Sequence, residues 1–127
     1  WEELGIPPEA VEVLGLLDYQ FGQGEFLLHP VLGLVAPAAA EALRPNPAEV
    51  KEVFWVPAEH LRTHPPAVYT YDLLLDVGED FPYDRIGFPK SYRWRRGRMD
   101  VPVYPWENRA IWGLTGRIVL GLMEGMA

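Results

Sequence analysis

The sequence predicts a single α/β or α+β domain spanning residues 1–127, a sheet with helices on its faces. Three observations point there: short β-rich runs recur along the chain, a short helical stretch interrupts them, and one long segment of helical periodicity closes the chain. With 127 residues, 49% of them hydrophobic, the chain is long enough to bury one core and no more.

The elements follow in order. Glu2 and Glu3 sit ahead of Gly5, with Pro7 and Pro8 beyond, which reads as the tail of a helix stopped by glycine. Val11–Leu17 is rich in aliphatic residues and bounded by Pro8 and Asp18, the signature of a strand. Gly22 and Gly24 mark a turn over residues 20–25. Residues 26–35 form the strongest apolar run, broken in polarity only by His29. They read as one strand buried on both faces, with His29 a satisfied buried histidine and Pro30 at an edge or bulge. Ala38–Arg44 forms a short helix that Pro45-Asn46-Pro47 stops. Residues 49–56 alternate Val50, Val53 and Trp55 against Lys51, Glu52 and Phe54, a strand with a break suited to a bulge.

Pro57 suits the first turn of a helix over residues 57–64. Val68–Leu75 reads as a strand, residues 81–89 as irregular, and residues 91–105 as a hairpin around Gly97. Asn108 then caps a helix over Arg109–Glu124 with Ile111, Leu114, Ile118 and Leu122 on one face and Trp112 in the core. Gly113, Gly116 and Gly121 each cost such a helix about 1 kcal/mol against Ala, so something packs closely on them.

Composition narrows function. The net charge of −7 disfavours duplex nucleic acid, whose binding needs a basic surface. No apolar run reaches the roughly 18 residues of a membrane span. The acidic start lacks the basic region of a signal peptide, and the absence of cysteine excludes disulfides and thiolate chemistry, so a cytoplasmic setting is expected. The charge is uneven: Lys90, Arg93, Arg95, Arg96 and Arg98 crowd nine positions just after Asp72, Asp76, Glu79, Asp80 and Asp84. That strip is either a solvated hairpin of mixed charge or a phosphate-facing surface, since Arg binds phosphate bidentately. Tyr83, Tyr92, Trp94 and Tyr104 offer aromatic faces to a base or, equally, to the core or a dimer contact. His29, His60 and His64 show no metal-ligand spacing, and no Ser-His-Asp set, P-loop or dinucleotide fingerprint occurs.

Adjacent carboxylates on a helix point about 100° apart, so one of Glu2 and Glu3 can ligate a hard cation while the other braces it. Taken alone, such a pair is ordinarily solvated surface.

The sequence Glu2-Glu3-Leu4-Gly5-Ile6 resembles the end of the Nudix box, which closes Glu-Glu, any residue, Gly, an aliphatic; Trp1 fills the free position before it. Further matches follow in order. His29-Pro30-Val31-Leu32-Gly33-Leu34-Val35 resembles the strand after the box in the coenzyme A pyrophosphatase branch. Glu49-Val50-Lys51-Glu52-Val53-Phe54-Trp55-Val56-Pro57 is similar to that branch's Glu-Val-x-Glu-Val-x-Trp-Val segment, and Ile111–Ile118 to its closing helix. The box's Gly, first Glu and Arg-Glu pair are not in the sequence, nor is the branch's coenzyme A signature. The expectation is the C-terminal part of a Nudix hydrolase domain, an α/β/α sandwich with a mixed sheet, incomplete at its N-terminus.

The resemblance implies a divalent-metal pyrophosphohydrolase using Mg²⁺ or Mn²⁺. Glu3 carries over as a principal metal ligand and Glu2 as the neighbouring box carboxylate. Glu41 and Glu49, in or beside the loop before Trp55, are candidates for the general base. Arg93, Arg95, Arg96, Arg98 and Tyr92 are candidates for binding a small nucleotide-derived substrate. A coenzyme A-like substrate is favoured; ADP-ribose or a dinucleoside polyphosphate is the alternative. A homodimer, or a catalytically silent binding or dimerisation fragment, stands beside these.

Overall fold

Proline and glycine set most element boundaries in the computed structural model, which describes residues 1–22 and 25–126. Gly24 of the expected turn lies outside the described residues. Pro8–Ala10 makes a single 3-10 turn that feeds β1 (Val11–Leu16). β1 pairs antiparallel with β4 (Val31–Val35), from Val11 opposite Val35 to Leu16 opposite Val31, with Leu14 bulged between Val13 and Gly15. The apolar run from residue 26 is not one strand. It splits into β3 (Leu27–Leu28), paired with β2 (Gln20–Phe21), and β4, because Pro30 has no N–H to continue a ladder; its carbonyl accepts from Leu17 N–H at 3.0 Å. Neither is this run buried on both faces. Val31 and Leu34 are more than half exposed, and His29 is an exposed side chain whose ring lies 4.3 Å from that of Tyr19.

α1 (Pro37–Glu41) is shorter than expected, and residues 49–56 form no strand. Their alternation is met instead by a turn on Asn46 and by a side-chain clamp. Arg109 donates to both carboxylate oxygens of Glu52 at 2.9 and 3.0 Å, and its guanidinium lies 5.4 Å from the centre of the Phe54 ring. α2 (Ala58–Thr63) follows Pro57 as the sequence predicts.

The most buried part of the described structure is a three-stranded antiparallel sheet, β5 (Ala67–Leu73), β6 (Gly97–Trp106) and β7 (Arg109–Ile111), with α4 (Gly113–Gly125) across β6. A short helix, α3 (Tyr83–Ile86), closed by left-handed Gly87, occupies the stretch expected to be irregular. The hairpin turns at Glu107-Asn108 rather than at Gly97. Gly97 instead starts β6 opposite Leu73, where an added Cβ would stand 3.3 Å from Leu73 Cβ. Asn108 therefore serves a turn, for which its side chain is as well suited as for a helix cap, and residues 109–111 are spent on β7. α4 begins only at Gly113, after an extended Trp112 that is largely exposed rather than core.

Pro102 is tolerated inside β6 because β7 reaches only Tyr104–Trp106, leaving Pro102 a strand partner on one side. Of the four glycines in α4, Gly116 alone explains itself by packing: a Cβ there would stand 2.6 Å from the Pro102 carbonyl oxygen, whereas nothing approaches Gly113, Gly121 or Gly125. Pro102, Tyr104 and Gly116 form the buried centre, where burial, with Glu124 nearby, pushes the Tyr104 phenol pKa up. Helices and sheets thus give the α+β class the sequence predicts. Every strand pairing among the described residues is antiparallel, and the parallel pairing of a mixed sheet does not occur among them.

Candidate active site

Glu2 and Glu3 lie on one turn of chain closed by a hydrogen bond from Gly5 N–H to the Trp1 carbonyl at 2.8 Å. Gly5 takes φ 71°, the left-handed end of a helical turn, and a Cβ there would fall 2.9 Å from Arg44 Cβ and 3.2 Å from the Arg44 carbonyl oxygen. Glycine is therefore required twice, by backbone conformation and by the approach of the loop after α1. That approach is bonded: Arg44 N–H donates to the Leu4 carbonyl at 2.8 Å, and Asn46 N–H to the Glu3 carbonyl at 2.7 Å.

The same loop brings in Glu49. The Asn46 carbonyl accepts from Glu49 N–H at 3.0 Å and Val50 N–H at 2.8 Å, and the Asn46 side-chain amide donates to Glu49 Oε2 at 3.2 Å. The structure thus links the Glu2-Glu3 turn and Glu49 through one residue. Glu41, at the end of α1, stands apart from this bonded junction. Beside the turn lies an open hollow of about 620 Å³, lined by Glu2, Glu3 and the apolar Trp1, Leu4, Ile6, Pro8 and Val11. Among the described residues no three His, Asp or Glu side chains gather as a metal cage. Two adjacent carboxylates suit a hard ion such as Mg²⁺, which keeps waters and takes substrate phosphate oxygens as its remaining ligands.

The basic strip is built differently. Arg93, Arg95 and Arg96 line, with Leu74, Leu75 and Trp94, a hollow of about 710 Å³, and Arg98 follows Gly97 in β6, opposite Asp72. All four arginines are exposed, and Arg96 reaches Asp72 only at 4.0 Å. Behind them is an aromatic cluster: Trp94 meets Phe81 and Tyr92 edge-on at 5.4 and 5.1 Å and donates its indole N–H to the Tyr83 hydroxyl at 3.3 Å. Tyr92 stacks on Phe88 at 4.7 Å, so its ring is engaged in this cluster, while Tyr104 is core. His60 and His64 stack on each other at 4.1 Å, with Trp106 edge-on to His60. Sequence reasoning missed Asn46 and Arg109. The one signal for Asn46 was its place between two prolines, which read only as a helix stop; Arg109 read as helix.

No family model matches the chain. Among curated proteins it is 33% identical over 124 residues to an uncharacterized Nudix hydrolase, NudL, of Photorhabdus laumondii, covering 97% of this chain and 54% of that protein. It is 30% identical over 118 residues to the NudL of Pectobacterium atrosepticum, 93% of this chain and 50% of that one. A human mitochondrial coenzyme A diphosphatase, NUDT8, is 31% identical over 117 residues, 92% of this chain and 42% of the relative. The chain spans about half the length of the curated relatives it matches.

Proposed function

We propose that this chain, a relative of the Nudix hydrolases, carries part of the active site of a metal-dependent pyrophosphohydrolase acting on a nucleoside diphosphate linked to another group. The observation that carries the reading is the bonded junction of the Glu2-Glu3 turn with the Glu49 loop, in a chain similar to such hydrolases over nearly all its length. Glu3, with Glu2 beside it, would hold Mg²⁺ or Mn²⁺. A divalent ion at such a site supplies charge neutralisation on the phosphates and a lowered pKa for the attacking water. Glu49 accepts the proton as water oxygen bonds to phosphorus and the bridging oxygen departs with the other phosphate. Arg93, Arg95, Arg96 and Arg98 hold the remaining phosphate charge.

A coenzyme A-like substrate is favoured by the similarity to a coenzyme A diphosphatase. Cleavage by the full-length protein with Mg²⁺, measured across coenzyme A, ADP-ribose and diadenosine polyphosphates, tests this. The reading expects coenzyme A to give the highest kcat/KM, and an absence of metal-dependent cleavage across the panel contradicts it. A second reading, a non-catalytic binding or homodimerisation module, is favoured by the exposed apolar side chains Leu14, Leu16, Val31 and Leu34 on the β1–β4 ribbon. Sedimentation of the full-length protein checks it; a monomer at every concentration removes the dimer. No helix among the described residues is long and apolar enough to cross a membrane.

A further inference from the structure

We infer that Asn46 is a positioning residue that holds the Glu49 carboxylate in register with the Glu2-Glu3 turn. The inference rests on the roles proposed above for Glu3 and Glu49. Asn46 uses every polar group it has. Its N–H donates to the Glu3 carbonyl at 2.7 Å, and its carbonyl receives Glu49 N–H and Val50 N–H at 3.0 and 2.8 Å. Its side-chain oxygen receives Ala48 N–H at 3.1 Å, and its side-chain NH₂ donates to Glu49 Oε2 at 3.2 Å.

The flanking residues sharpen the point. Pro45 and Pro47 have no N–H, so across residues 45–47 Asn46 alone supplies a backbone donor to the turn. Each proline also fixes its own φ, which stiffens the loop on both sides. Neither aspartate nor alanine replaces asparagine here. Aspartate has the acceptor for Ala48 but no donor for Glu49, and it sets a second carboxylate against the first. Alanine has neither group. Glu49 itself is exposed, so without the amide its carboxylate swings among solvent rotamers, and a displaced catalytic group costs rate rather than substrate affinity.

The test is a double-mutant cycle in the full-length protein, using coenzyme A with Mg²⁺, beside amide hydrogen exchange in the metal-free protein. Asn46→Ala is expected to lower kcat by about tenfold or more with KM unchanged. Asn46→Asp is expected to do no better. Adding Asn46→Ala to Glu49→Gln should cost nothing further, because the group being positioned is already lost. In the absence of metal, the Ala48 amide should exchange at least about tenfold faster in Asn46→Ala, and the residue 46 amide should follow as the loop loosens.

A merely structural asparagine gives a different pattern. It lowers kcat by the same factor with or without the Glu49 carboxylate, and that outcome, or unchanged exchange at both amides, overturns the inference. With Glu3→Gln inactive in the same assay, such a result removes the Asn46 role alone. An active Glu3→Gln, or a wild type that cleaves nothing, removes the reading beneath it.

Discussion

The Glu2-Glu3 turn and the arginine strip at residues 93–98 are both charged and exposed, yet they are held in opposite ways. The turn is fixed through its backbone: Leu4 and Glu3 carbonyls each receive an N–H from the loop after α1, and Gly5 lies against Arg44 where no other residue fits. The strip is backed by aromatic packing behind Trp94, while its guanidinium groups extend into solvent. The difference suits the two roles proposed for them. Holding a metal and directing a water demands fixed geometry, whereas gathering phosphate charge demands cations near the substrate and tolerates their motion. Changes at the turn should therefore strike kcat, and changes at the strip KM.

The largest effect expected is from Glu3→Gln, which removes the charge of the proposed metal ligand and leaves the backbone bonds in place. Steady-state kinetics should show turnover down by more than about a hundredfold, with thermal stability nearly unchanged. Next is Gly5→Ala. A Cβ at φ 71° meeting Arg44 should cost stability of about 1–3 kcal/mol, read by denaturant melting, and should lower kcat because the turn moves away from the loop. Equal kcat in wild type and Gly5→Ala would show that the turn need not be fixed, and the contrast would collapse.

Neutralising Arg95 and Arg96 together to Gln should raise KM by about tenfold while kcat changes little, the pattern of lost uniform binding. A fall in kcat alone would move the strip into the chemistry.

The smallest effect concerns the Arg109–Glu52 clamp, which holds the segment after the junction. The hydrogen bond from Arg109 is the main influence on the Glu52 carboxyl and lowers its pKa from the usual 4.5. A carboxyl depressed by folding contributes stability above its unfolded value, and the contribution is lost as pH falls through its lower folded value. The melting-temperature gap between wild type and Glu52→Gln should thus be present at neutral pH and close on acidification below pH 4.5. A gap that persists in acid would mean that shape rather than charge holds the clamp.

What the sequence revealed follows the same division between local and distant causes. β1, β5 and α2 were legible because alternation, β-branched residues and proline boundaries act within a few positions. The absence of a strand at residues 49–56 was not legible, because its side-chain pattern suits a strand while its contacts go to Arg109, far along the chain. Asn108 misled because one side chain serves turns and helix caps alike. His29 and Trp112 read as core from apolar neighbours, yet the faces they stand on are open in the structure. Residue types and family resemblance singled out Glu2, Glu3, Glu41 and Glu49 as candidates, and of these the structure links the Glu2-Glu3 turn to Glu49. Asn46, the residue joining them, is neutral and common in turns, and its value lies in partners on both sides that only the folded chain brings together.

The most direct measurement follows coenzyme A cleavage by the full-length protein and by Glu3→Gln as Mg²⁺ is titrated. The account predicts cleavage of the diphosphate that rises with metal to saturation in the wild type and is absent in Glu3→Gln at every concentration. Equal, saturable cleavage by the two proteins would contradict it.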